Sequence, residues 1–389
     1  MKSTSRIFSL PTMGMALGIA LILSTISASA LAGDPKVKAM TRNVYLGANI
    51  FRVVNAALDP NADQLAVPTA AAEVFQIVQQ TNFPERAEAL ADEIALFSPD
   101  VIGLQEVSTY YIQTPSDYGY PDAVSAETVV YDFQAILNAA LLDRGMHYNA
   151  YTVTNADIEV PMLNPDSPTY LSDIRMVDHD VILVRDKYEA ANEIKGNFTY
   201  NLEVDLGAAG IFNRNRGYIA IDVNIKGQDY TFANTHLEVG DVPGSVFRVF
   251  QSAQMQELLT ILSYSQNPTL LVGDFNSRPE DVPGQGEVPG VGLVPYVPPY
   301  MQALGSGYAD TWLEQKKVSD GFTAGFDEFV SDETRTLTHR IDMVFMDPKN
   351  LSIEKVKAVV VGDDMEDMTP SGLWPSDHAG VISKIKLAR

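Results

Sequence analysis

The chain has 389 residues, 46% of them hydrophobic, enough for a large buried core in one big α/β domain or two smaller ones. A formal net charge of -23 and a pI near 4.5 exclude a broad nucleic-acid-coating surface, although a bound divalent cation reverses such a field locally and leaves phosphodiester chemistry open. The absence of cysteine excludes disulfides and thiolate metal sites.

Residues 1–32 read as a secretory signal peptide. Lys2 and Arg6 precede an apolar stretch from Met13 to Leu23, and Ala28-Ser29-Ala30 and Ala30-Leu31-Ala32 both suit cleavage. The apolar stretch is short for a membrane span. The expected mature chain is a single domain over residues 33–389, secreted or periplasmic, with no transmembrane segment.

Residues 37–47 predict a first strand that runs to Asn43. A helix is expected over 70–80. A stronger one opens at Pro84, with Ala87, Leu90, Ala91, Ile94 and Phe97 at helical spacing, and Ser98-Pro99-Asp100 stops it. Residues 101–107 form a short buried strand with Glu106 at its end. Residues 107–130 read as a tyrosine- and proline-containing loop. A second amphipathic helix covers 131–144, and Gly145 ends it. A strand is expected at 148–153, a loop at 155–176 and a strand at 180–185. Residues 217–225 and 230–237 alternate about a glycine-containing connection, which predicts a hairpin.

A helix over 245–263 is expected to turn Phe247, Phe250, Ala253, Leu258, Ile261 and Leu262 to the core. The apolar run 270–272 then ends in Gly273-Asp274-Phe275-Asn276-Ser277. Residues 281–299, rich in proline and glycine, read as a long loop. Strands over 340–346, 354–362 and 381–387 complete the chain, with the loop 371–380 before the last. No internal repeat or interdomain linker interrupts this order, so the fold class is α/β, layered around mixed sheets.

Six of these elements deliver polar side chains at strand ends: Asn43, Glu106, His236, Asp274 with Asn276, Asp342, and Asp377-His378. Each has an ordinary structural explanation, but the set fits metal-assisted hydrolysis of a phosphate ester. A hard cation takes oxygen ligands, supplied by Glu106 with Asn43 and Asp377. Water needs a base, and His378 suits that role when a carboxylate such as Asp342 fixes its tautomer. His236 and Asn276 are donors for a phosphoryl oxygen that gains charge in the transition state. Asp274 positions the water or protonates the leaving group.

Taken in order, Asn43, LQEV, THL, GDFN, RID and SDH resemble the endonuclease/exonuclease/phosphatase superfamily, which includes DNase I-like nucleases, bacterial sphingomyelinases and inositol-polyphosphate phosphatases. The resemblance spans roughly Lys36 to Lys386. It implies a four-layer α/β/β/α sandwich of two packed mixed β-sheets flanked by helices, and Mg²⁺ or Mn²⁺ as cofactor. It also implies roles: Asn43, Glu106 and Asp377 at the metal, His236 at the phosphoryl group, Asp274 and Asn276 on nucleophile and phosphate, and His378 as base oriented by Asp342. Arg216 is a further candidate phosphate contact, and Asp178 or Asp180 the expected partner of His236. His147, His179, His339 and Asp310 are read as structural or incidental.

The segments expected to rim the site hold few cations: none in 107–130 or 281–299, and Arg175 alone in 155–176. A nuclease that grips duplex needs phosphate contacts there or nearby. The expected substrate is therefore a phospholipid headgroup or small phosphate ester, ahead of nucleic acid. The alternatives are a secreted DNase I-like endonuclease and a catalytically silent surface-binding protein. No protein partner is implied.

Overall fold

The computed structural model describes residues 35–205, 211–240 and 243–389, which belong to one compact unit; the signal-peptide reading of residues 1–32 lies outside them. Strand β1 (Lys36–Asn43) is followed by helices α1 (Phe51–Leu58), α2 (Ala66–Gln80) and α3 (Phe83–Phe97), then β2 (Val101–Gln105), β3 (Thr109–Gln113), β4 (Thr128–Asp132) and α4 (Phe133–Asp143). Next come β5 (Tyr148–Leu163), β6 (Leu171–Arg185), β7 (Ala190–Asn197), the short pair β8 (Leu202–Asp205) and β9 (Ile211–Arg214), β10 (Gly217–Ile225) and β11 (Gln228–His236). The chain closes with α5 (Val246–Leu262), β12 (Thr269–Asp274), β13 (Gly284–Val288), β14 (Gly292–Tyr296), α6 (Pro299–Gly305), β15 (Ala309–Asp310), β16 (Asp342–Asp347), β17 (Ser352–Val361) and β18 (Gly380–Ala388).

Two mixed sheets result. The first runs β17-β18-β1-β2-β6-β3-β4, with β5 also paired to β6; the second runs β15-β16-β12-β11-β10-β7. Three apolar clusters explain why four layers form. One joins α2, α3 and α4 to the outer face of the first sheet through residues such as Phe83, Leu90, Leu137, Ile102 and Leu104. A second lies between the sheets, where Val37, Val101 and Ile182 meet Ile219, Phe232, Val272 and Val344. The third joins α5 to the second sheet through Met255, Leu258, Leu271 and Phe345. Alternating side chains thus bury both faces of each sheet, and the expected α/β/β/α sandwich is the observed architecture.

The sheets come closest at Gly103 on β2. A Cβ there would stand 2.5 Å from Val272 and 2.6 Å from the Asn234 carboxamide, so no side chain fits without displacing one of them. Polar groups bridge the sheets beside this contact. Asn234 donates to the carbonyls of Leu104 (2.8 Å) and Val181 (3.1 Å) and accepts from Gln105 (2.7 Å).

Three expected loops are corrected. Residues 107–130 contain β3 and β4, 155–176 contribute most of β5 and the start of β6, and 281–299 form the β13–β14 hairpin on α5. Proline, glycine and polar residues disguised them. A register shift between Thr154 and Asp157 also breaks the strand alternation of β5. The face of α5 is corrected too. Its buried residues include Arg248, Gln251 and Gln254 alongside Met255, Leu258, Leu259 and Leu262, whereas Phe247, Phe250, Ala253 and Ile261 are half-buried. Arg248 pairs with Asp281 (2.7 Å), and the glutamines turn inward because they have backbone partners there. Gln251 donates to the carbonyls of Glu238 (2.8 Å), Phe275 (3.3 Å) and Asn276 (2.7 Å), and Gln254 accepts from Glu238 N (2.8 Å).

Candidate active site

Pairing register brings the predicted residues together. Parallel β1 and β2 end side by side with Asn43 opposite Gln105, which places Glu106 one residue further. Parallel β11 and β12 end with His236 opposite Asp274, and antiparallel β16 begins with Asp342 opposite Asp274. Asp377 and His378 lie just before β18, which runs antiparallel to β1. Both sheets therefore point their polar ends at the same place.

Asp274 is the hub of the constellation. Its Oδ1 accepts from Asn276 N at 2.9 Å, while Oδ2 accepts from Asn43 Nδ2 at 3.3 Å and lies 3.4 Å from His236 Nε2 and 3.8 Å from His378 Nδ1. Asp342 Oδ2 and His378 Nδ1 form a 2.8 Å hydrogen bond, which leaves Nε2 of His378 free to face a reactant. Thr323 Oγ1 accepts from the backbone amides of Ile341 (3.2 Å) and Asp342 (3.1 Å), and Thr323 O accepts from Ala379 N (2.7 Å). One loop residue thus steadies both members of the pair. On the other side of His378, the buried Arg42 donates to its carbonyl and is itself fixed by Glu93 through hydrogen bonds of 2.9 and 3.1 Å.

Backbone conformation at the site is unusual. Tyr45 (φ 63°), Glu106 (φ 61°) and Asn276 (φ 48°) all occupy the left-handed region. Each such residue costs about 1 kcal/mol or more, which its surroundings offset. At Gly273 (φ 154°) a Cβ would meet Thr235 O at 2.0 Å, so glycine is required for β12 to pass β11 beside the site.

The electrostatics follow from burial and crowding. Burial, then Asp342, pushes the Asp274 carboxyl up to about 7. Burial raises Asp377 to about 6, with Glu106 adding to the rise and His378 opposing it. Burial alone would lower His378, but Asp342, Asp377 and Asp274 hold its imidazole well above the ordinary histidine value. His236 is pushed well below it by burial and by the guanidinium groups of Arg216 and Arg214. Carboxylates outnumber cations here, and the available donors are oxygens and imidazole. That chemistry fits a hard divalent cation. The ligand-type atoms of Asp274, Asp342 and His378 all lie within 4.8 Å of one another.

One expectation about His236 is corrected. Neither Asp178 nor Asp180 pairs with it. Asp178 accepts from Ser108 Oγ at 3.0 Å, the buried Asp180 carboxylate lies beside Asn155, and the carboxylate near His236 Nδ1 is Glu106, at 3.9 Å. His236 Nε2 accepts from Asn276 Nδ2 at 3.1 Å. Arg216 is 1% exposed and 3.9 Å from Glu238, so its charge reaches His236 while its side chain stays inside. His179 faces the outer layer beside Val107 O, and Asp310 is held by Arg340 (2.7 Å) and Tyr300 (3.0 Å), both structural arrangements as expected.

Sequence reasoning missed Arg42, Arg86, Gln251 and Thr323; Arg42 directly precedes Asn43 in β1, and the other three lie outside the strand-end motifs. The one visible signal was a cation, Arg86, on the apolar stripe of α3 between Phe83 and Leu90.

The profile of the endonuclease/exonuclease/phosphatase family matches residues 78–378, more than half of the chain and every site residue except Asn43. The chain belongs to that family. Its members are phosphoesterases and nucleases, hydrolases that depend on divalent metal. No curated protein matches the chain. Among solved structures it is similar to truncated Caenorhabditis elegans TDP2, at 16% identity over 90% of this chain and 97% of that one, with a TM-score of 0.48. It is also similar to a family protein from Leptotrichia buccalis (19% identity, 90% and 99% covered, TM-score 0.49). A third similar structure is the human Nocturnin catalytic domain with bound sulfate anion (17% identity, 92% and 97% covered, TM-score 0.47).

Proposed function

We propose that the chain is an exported, Mg²⁺- or Mn²⁺-dependent phosphoesterase that hydrolyses a lipid or small-molecule phosphate through a histidine-activated water. The observation that carries this reading is the 2.8 Å Asp342–His378 bond, set against Asp274 at the meeting point of both sheets. Asp342 holds His378 in the tautomer whose Nε2 accepts a proton from water, and its charge stabilises the imidazolium that forms. Asp274, fixed by Asn276 N and Asn43 Nδ2, aligns that water. Asn276 donates through Nδ2 to His236 Nε2 (3.1 Å) and Leu237 O (3.0 Å), and turning this amide onto an arriving phosphoryl oxygen would meet it without adding a full charge.

Because Asp274 and Asp342 are engaged with the base, Asn43, Glu106 and Asp377 are the residues that would hold the cation. Bound there, it would polarise the phosphoryl oxygen and steady the leaving oxygen. The acidic chain and its cation-poor rim segments favour a small or lipid phosphate over a polynucleotide.

The test is a broad phosphoester panel: phospholipid and sphingomyelin vesicles, small phosphodiesters and monoesters, plasmid DNA and RNA. Activity is expected to vanish with chelator and in His378→Ala. Release of nucleotide in place of headgroup or small alcohol would transfer the assignment to a nuclease. No hydrolysis with either metal, alongside binding to cell surfaces, would favour a silent binding protein. Glu106→Gln is expected to weaken Mn²⁺ binding, whereas Asp274→Asn keeps it and loses turnover. Equal loss of metal affinity in both would put Asp274 among the metal ligands.

A further inference from the structure

The segment Val44–Gly47 leaves β1 directly after Asn43, and the carbonyls of all four residues are taken from behind by side chains of the helical layer and β3. Arg86 Nη1 donates to Val44 O (2.7 Å) and Nη2 to Tyr45 O (3.1 Å). Tyr110 OH donates to Leu46 O (2.7 Å), and Thr81 Oγ1 to Gly47 O (3.0 Å). With its carbonyls turned inward, the segment presents amides to the site. Tyr45 N donates to Asn43 Oδ1 and Leu46 N to Glu106 Oε2, both at 2.9 Å. The same guanidinium reaches a second site segment, since Arg86 Nη1 also donates to Pro375 O at 2.9 Å. Ser376 follows, donating through Oγ to Asn43 O at 2.8 Å, and then Asp377.

Arg86 is fully buried on α3, between the rings of Tyr45 and Phe83. With Nε on Thr81 O (2.7 Å), four of its hydrogen bonds go to backbone carbonyls, and among the described residues no carboxylate hydrogen-bonds to it. An arginine buried without a counter-ion is costly. An apolar residue would serve the α3 stripe equally well, so packing does not explain it. What distinguishes this cation is its place behind an excess of carboxylates. Coulombic attraction links it to Asp377.

We propose that Arg86 is the positioning residue of the metal site, joining the Val44–Gly47 and Pro375–Asp377 segments so that Asn43, Glu106 and Asp377 are held ready for a divalent cation. This rests on the reading that the cation binds those three residues. Arg86 touches neither substrate nor metal. It acts through the backbone, and its charge partly balances the acids before a cation arrives.

The test is direct Mn²⁺ binding to the full chain, followed by calorimetry and by the electron paramagnetic resonance of free Mn²⁺. Arg86→Met is expected to weaken binding by about tenfold or more, the range found when residues supporting metal ligands are removed. Arg86→Lys, which keeps the charge but not the four-point geometry, is expected to fold and to fall between Met and wild type. Leu90→Ala, which removes buried apolar volume from the same helix but no hydrogen bond, controls for lost stability and is expected to stay within about twofold of wild type. Wild-type affinity in a folded Arg86→Lys protein would overturn the proposal, as would an equal loss in Leu90→Ala. Failure of the wild-type chain to bind Mn²⁺ would instead overturn the metal site on which it rests.

Discussion

The Asp342–His378 pair is where a single charge decides the chemistry. Against the effect of burial, Asp342 raises His378, with Asp377 and Asp274 adding to the rise, so acid should silence this base at a higher pH than it would an ordinary histidine. Replacing Asp342 by Asn removes that negative charge and lowers the histidine's affinity for protons. The rate in Asp342→Asn is expected to drop by roughly a hundredfold or more, because the imidazolium loses its stabilising partner. At the same time the acid limb of the kcat/KM profile should move to lower pH. A slow variant whose acid limb stays in place would remove His378 from the role of base. At this scale the sequence was most legible where chemistry and strand ends coincide, as at Asn43, Glu106, Asp274 and His378. It was silent on Thr323 and marked Arg86 only as a cation on an apolar stripe, because a side chain that works through distant backbone carbonyls or amides leaves little local pattern.

Among the elements, α5 shows how a helix can be placed correctly and still be read with the wrong face inward. Its aromatic residues suggested a greasy contact. The buried stripe instead carries glutamines that hold the chain ends leaving β11 and β12. Gln251→Leu would keep the volume and leave the carbonyls of Glu238, Phe275 and Asn276 without this donor. Its expected cost is about 1–3 kcal/mol in denaturant titration. Activity should fall further than stability predicts, because Asn276 sits in a left-handed conformation that this donor supports. Unchanged kcat in a destabilised Gln251→Leu protein would show that Asn276 holds its conformation unaided. The missed strands carry a related lesson. Ile158, Val160 and Met162 do alternate, but a register shift and proline obscure the period that makes a strand readable.

For the whole molecule, the acidic balance and the crowded carboxylates act in the same direction. Asp274 and Asp377 bind protons more tightly in the folded chain than an unfolded carboxyl near pH 4 does, and His378 likewise exceeds an unfolded histidine. The folded state therefore holds more protons across that range, and stability falls as pH rises from about 4 through about 7 and beyond. Metal-free protein is expected to melt at lower temperature at pH 8 than at pH 5, and Mg²⁺ to raise Tm more at pH 8. A Tm that rises with pH without metal would contradict the proton affinities assigned to these acids. At this scale the sequence was again legible. The α/β class followed from the strand and helix periods and the four-layer order from the family resemblance, whereas the close approach of the sheets at Gly103 depended on contacts between distant segments.

Aspartate 342 begins a strand of the second sheet, and His378 precedes a strand of the first. Their contact therefore exists only after the two sheets have come together. A growing or half-folded chain can carry most of the reactive groups yet hold none of the reactivity. The fold serves as a safety catch, released when the two sheets pack. A cell that makes such a hydrolase is spared its activity until the molecule is finished.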